Sequence, residues 1–112
     1  MTKKLPALIL AVGLSAFTLQ AAPPEAVAKN WTKHCVSCHG KDGQGKTKAG
    51  SKAKVKNLTD AKYQASFDDA KAHKAIKEGL EIDGKVAMKP LGDKLTDDEI
   101  KGLIAFVRTL KK

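Results

Sequence analysis

The chain has 112 residues and carries 21 Lys+Arg against 12 Asp+Glu, a formal charge of +9. That length allows one compact domain and argues against a two-domain enzyme with a large cleft between its halves. Hydrophobic residues make up 42%, too many for a disordered tail, yet aromatics make up only 4%. A small core with so few large side chains needs a disulfide, a metal or a buried cofactor as well.

Residues 1–22 read as a secretory signal peptide. Lys3 and Lys4 form a basic start, Leu5 to Leu19 is largely apolar, and Gln20-Ala21-Ala22 supplies small residues where a peptidase cuts. The stretch falls short of the roughly 20 apolar residues of a membrane span, so an uncleaved anchor is the weaker reading. The mature domain is then 23–112, exported to the periplasm or an equivalent oxidising space. Cleavage removes two lysines and no acid, so the basic excess persists. Nucleic acid is not an expected partner in that compartment.

The mature part is predicted to be helices joined by loops, with no strand. A first helix runs from about Pro24 to His34, with Val27, Trp31 and Cys35 on one face. Gly40, Gly43, Gly45 and Gly50 mark a loop to about Asn57, solvated by Lys41, Lys46, Lys48, Lys52, Lys54 and Lys56. A short helical turn is expected near Thr59. A clearer helix starts with Ser66 as N-cap and Asp69 behind it, and stops at Gly79. Residues 81–94 read as a loop holding Gly84, Met88, Pro90 and Gly92. In the last helix Thr96 and Glu99 form a capping box, Asp97 and Asp98 complement the positive helix end, and Ile100, Leu103, Ile104 and Val107 make the buried stripe.

Cys35-Val36-Ser37-Cys38-His39 carries the chemistry. Two intervening residues let both sulfurs reach one edge of a haem as thioethers, and the adjacent His39 can then ligate the iron from the same side. A redox dithiol would need a strand–helix unit beside it. Zinc wants four ligands at workable spacing, which His34, His39 and the distant His73 supply poorly. A disulfide over so short a loop would add little. Haem c, covalently attached through Cys35 and Cys38, is therefore the expected cofactor. Met88 is the candidate sixth ligand, because it lies in a Gly- and Pro-bounded loop beside Lys85, Lys89 and Pro90 rather than on a helical stripe. A His39/Met88 pair would raise the reduction potential and suit electron transfer. Trp31, Leu58, Phe67, Ile76, Leu91, Leu103 and Phe106 are the expected walls of the haem site. His34 and His73 are expected to take no part.

With these features the chain resembles the small class I monohaem cytochromes c. The resemblance runs from about Glu25 to Leu110. It rests on Cys35-Val-Ser-Cys38-His39-Gly40, on Met88-Lys-Pro90, and on Leu95-Thr-Asp-Asp-Glu-Ile100 leading into Leu103-Ile-Ala-Phe106-Val-Arg108. It implies an all-α cytochrome c fold: three main helices and short helical turns around one covalently bound haem, the first and last helices crossing at Trp31 and Phe106. It also implies His39/Met88 ligation and one-electron transfer between redox proteins, with no catalytic residues, no small-molecule substrate at iron and a monomeric state. The lysine-rich loops would face partners with acidic docking surfaces. The alternative is a haem protein with an open or displaceable sixth site for ligand binding or peroxidase-like activity. Two positions depart from the family. Val27 stands where a glycine usually lets the first and last helices approach, so a wider crossing or a shifted register is expected. No proline lies between His39 and Pro90, which leaves the group that orients His39 unnamed.

Overall fold

In the computed structural model, residues 23–112 are described, together with residues 2, 3 and 13 of the segment before them. The predicted signal peptide therefore lies almost wholly outside the described residues. Among the described residues no helix is long and apolar enough to cross a membrane.

Among the described residues six helices and one hairpin follow in order: α1 (Glu25–His34), α2 (Val36–His39), α3 (Lys48–Ala53), α4 (Ala61–Ala65), α5 (Asp69–Glu78), β1 (Leu80–Ile82), β2 (Lys85–Met88) and α6 (Asp97–Thr109). The three longest are α1, α5 and α6, the main helices expected. Pro24 serves as the N-cap of α1 rather than its first helical residue. The helix α5 begins three residues later than its expected cap: Asp68, not Ser66, occupies the N-cap and accepts from the Lys71 amide at 2.7 Å. A carboxylate caps strongly and also complements the helix dipole. In α6 the capping box is formed in both directions, Glu99 N–H to Thr96 Oγ1 at 3.1 Å and Thr96 N–H to Glu99 Oε1 at 3.0 Å.

The core is where α1, α5 and α6 meet. Ile100 and Leu103 are fully buried, with Trp31, Leu58, Leu91, Leu95 and Ile104 packed around them. Trp31 and Phe106 meet edge-on at the α1–α6 crossing, ring centroids 4.9 Å apart at 65°. The small residue at this crossing is Gly102 of α6. A Cβ there would stand 2.9 Å from Val27 Cγ2. Val27 on α1 is thus matched by a glycine on the facing helix, and close approach is retained with the roles exchanged.

Two elements were not expected. The short α3 lies within the glycine-rich loop, its N-cap Thr47 accepting from the Gly50 amide at 2.8 Å. The segment read as a loop over 81–94 instead contains an antiparallel hairpin, with Leu80 opposite Met88, Glu81 opposite Val86 and Ile82 opposite Lys85. Asp83 and Gly84 turn it, both at positive φ (53° and 75°). Asp-Gly at that point is a strong two-residue hairpin signal, because both residues tolerate the left-handed conformation the turn needs. The hairpin is a small addition to an otherwise helical cytochrome c fold.

Candidate haem site

The Cys-x-x-Cys-His motif falls where α1 ends and α2 begins. Cys35 is the C-cap of α1, and its carbonyl accepts from the His39 amide at 2.8 Å. The glycine-rich loop folds back onto this turn. Thr47 Oγ1 donates to the Ser37 carbonyl at 2.7 Å, and the Gly45 amide donates to the His39 carbonyl at 2.7 Å. At Gly50 any Cβ would run into the Cys38 carbonyl oxygen, so only glycine lets α3 pack this closely on the motif. Those glycines read as mere loop breakers in sequence; in the structure they brace the attachment turn.

An apolar cleft of about 260 Å³ opens beside the motif. Cys35, His39 and Met88 all line it, although Met88 arrives from the far side of the hairpin. Gly79 sets that arrival. It takes φ 80° at the end of α5, and a Cβ on it would stand 2.6 Å from the Met88 carbonyl oxygen. Beyond the hairpin the chain is tied back to α5 by the Leu91 amide donating to the Ile76 carbonyl at 2.9 Å and Gly92 to Lys77 at 3.0 Å. Cys38 is half-buried on the same turn but does not line the cleft.

Of the expected walls, Trp31, Leu58, Phe67, Ile76 and Leu103 line the cleft. Leu91 and Phe106 do not: Leu91 is buried in the core and Phe106 packs against it at the helix crossing. Tyr63, Ile104 and Val107 line the cleft and were not singled out. Val107 and Ile104 carried the right signal, the α6 stripe, but the stripe does not say which members face a ligand. The lysines of the glycine-rich loop are all exposed and none lines the cleft, whereas Lys71 of α5 does.

The chemistry of the donors favours haem over the rival readings. Burial, with Cys38 adding a smaller push, raises the Cys35 thiol to about 11. A thiol so held is neutral at physiological pH, which disfavours disulfide exchange, whose nucleophile is the thiolate. Cys35 and Cys38 are not joined in a disulfide, and no cluster of three metal-binding side chains occurs among the described residues. Burial lowers the pKa of His39, keeping the imidazole in the neutral form that binds a metal. Trp31 stacks on the His39 ring, centroids 6.0 Å apart at 27°. No described protein atom hydrogen-bonds to His39 Nδ1, which is buried. The Trp31 ring packs against the imidazole, and the backbone bonds at Cys35 and Gly45 hold the His39 main chain. The residues present fit the group. His34 and His73 stand outside the cleft, and His73 Nε2 instead lies 3.4 Å from Asp97 Oδ1 across α5 and α6.

Comparison with known proteins agrees. The family described as "Cytochrome C oxidase, cbb3-type, subunit III" matches residues 22–107. A solved structure described as "KustC0563 c-type cytochrome" is similar, with a TM-score of 0.66 and 35% identity over 76% of this chain and 96% of that one. A point mutant of the same protein gives a TM-score of 0.66 and 34% identity over 77% and 99%. No curated protein matches. The chain belongs to this cytochrome family. It is a small monohaem c-type cytochrome, a haem-based electron carrier with covalently bound haem c and iron, and its partners are redox proteins.

Proposed function

We propose that the chain is an exported one-electron carrier whose haem c is attached at Cys35 and Cys38, with its iron held between His39 and Met88. The observation that carries this reading is the meeting of Cys35, His39 and Met88 on one apolar cleft. When bound, the group supplies an iron that takes up and gives back a single electron. The protein does the rest. Cys35 and Cys38 fix one edge of the ring. The neutral imidazole of His39 ligates from the motif side, held by Trp31. The soft thioether of Met88 favours the reduced metal and so raises the potential. Leu58, Ile76 and Leu103 exclude water, which works in the same direction. With His39 and Met88 both holding the iron, no substrate would bind there and no acid or base would be required. Residues 1–22 act as the export signal, 23–112 act as the mature monomeric domain in the periplasm, and the exposed lysines steer it to acidic faces on redox partners.

The deciding experiment is intact mass together with a reduced-minus-oxidised visible spectrum of protein exported with its haem-attachment machinery. The expected result is one haem added to a chain lacking the first 22 or so residues, with a low-spin spectrum. Carbon monoxide added to the reduced protein at neutral pH should leave that spectrum unchanged. Ready carbon monoxide binding would favour the displaceable sixth site and remove the closed carrier.

A further inference from the structure

We infer that Arg108 is a positioning residue for the haem, pinning the α4–α5 connection, and with it the Tyr63–Phe67 wall of the cleft, to α6. The inference rests on the proposed seating of haem in that cleft. Arg108 lies near the C-terminal end of α6. Its Nη1 donates to the Gln64 carbonyl at 2.7 Å, its Nη2 to the Phe67 carbonyl at 2.8 Å, and its Nε to Asp69 Oδ1 at 3.0 Å. The guanidinium carbon stands 4.4 Å from the centroid of the Phe67 ring.

These contacts add to a tie that α4 already makes to α6: the buried Gln64 Nε2 donates to the Leu58 carbonyl at 2.7 Å and to the Val107 carbonyl at 2.8 Å. The helix α4 is a five-residue turn, too short to be stable alone; at its end the Ser66 amide bonds the Tyr63 carbonyl, and the Gln64 carbonyl goes to Arg108. Arg108 supplies donors at Gln64 and Phe67 and then reaches Asp69 in the first turn of α5. Both ends of the connection are thereby fixed to one planar group. The connection and the residue before it face the cleft: Tyr63, Ser66 and Phe67 all line it, and the Tyr63 and Phe67 rings pack 5.3 Å apart at 60°. A planar fork matches two carbonyls and a carboxylate at once, and it also stacks on an aromatic face. A lysine ammonium is a single point of charge and does neither as well. Arg108 does not line the cleft itself. It acts through Phe67 and Tyr63, by keeping the wall closed against water, and solvent exposure is one of the factors that set a haem potential.

The test is potentiometric titration of haem-loaded Arg108→Lys and Arg108→Met, with thermal melts alongside. Both variants should lower the potential, the reduced-to-oxidised ratio against a fixed reference falling roughly threefold to tenfold (tenfold is about 59 mV for one electron). A lysine variant with the parent potential, beside a shifted methionine variant, would mean that bare charge is what counts and would overturn the inference. Lower melting temperatures with unchanged potentials in both would make Arg108 a stability brace only, and would overturn it equally. Asp69→Ala guards against a failure of Arg108→Met to mature. It removes one anchor from an exposed position, and it should also lower the potential, whereas simple loss of a negative charge should raise it. A rise there overturns the positioning role. A parent chain whose mass lacks haem removes the seating itself and this inference with it, a failure visible before any variant is made.

Discussion

Met88 shows how much one side chain depends on its surroundings. A methionine is ordinarily adaptable core filler. Here Gly79 brings its backbone close, the hairpin carries it, and its side chain meets the cleft that His39 also lines. Replacing Met88 by Ala leaves the fold intact and removes only the thioether. The expected result is a potential lower by more than about 59 mV, a factor above ten in the equilibrium constant of a one-electron couple. Carbon monoxide should then bind the reduced protein readily. Potentiometry and a carbon monoxide difference spectrum check both halves, and an unchanged spectrum would assign the sixth position to another group. Trp31 plays the corresponding part for His39, stacking on its imidazole while its other edge meets Phe106, so one indole couples the helix crossing to the His39 ring.

Among the elements, α6 has the most to lose from small changes. Gly102→Ala gains about 1 kcal/mol of helix propensity, but the new Cβ would stand 2.9 Å from the stiff, branched Val27. The clash wins: the variant should be destabilised by about 1 kcal/mol net, as overpacking commonly costs 1–3. In a Val27→Ala background the same substitution should become neutral or stabilising, and a double-mutant cycle by denaturant melts measures that reversal. At the start of α6, Thr96→Ala removes the cap and should cost about 1 kcal/mol. Glu99 is held below the usual carboxylate range, first by the Thr96 amide and then by Asn30. A folded-state pKa below the unfolded one means that its contribution is present above the unfolded value and lost as pH falls through the folded one. Glu99→Gln should therefore lower stability in the neutral region and flatten the acid limb of the stability curve below about pH 4.5, where the parent has already lost the contribution. Melts across that range decide it.

Over the whole molecule, charge governs encounter rather than fold. The formal charge of +9 and the exposed lysines of both loops create a field that attracts acidic surfaces. Second-order electron-transfer rates with an acidic redox partner should fall steeply as ionic strength rises from about 0.01 to 0.15 M, where the screening length shrinks from about 30 to 8 Å. A flat response would end the docking idea without touching the haem site. The same scale explains why so few aromatics suffice. The cleft occupies the place where a larger apolar core would lie, and Trp31, Tyr63 and Phe67 line it while Phe106 backs Trp31 at the crossing. The cofactor then completes a core that 90 or so residues would otherwise build poorly.

The local motifs were legible in the amino-acid sequence alone. Cys35, Cys38 and His39 lie within five consecutive residues, the Thr96–Glu99 box lies within one turn, and the α6 stripe is a matter of helical period. Such features depend on near neighbours, so they are legible without a fold. The Asp83-Gly84 turn is equally local, a two-residue hairpin signal inside a segment whose Gly84, Met88, Pro90 and Gly92 read as a loop. Other features had no local signature. That Gly102 and not Val27 gives room at the crossing, that Gly50 must clear the Cys38 carbonyl, and that Arg108 reaches Gln64 and Phe67 are facts about residues far apart along the chain. Helical periodicity tells which side of an element is buried but not what it is buried against. Only when α1, α5 and α6 pack together is it decided which apolar residues face the cleft and which, like Leu91, close the core behind it.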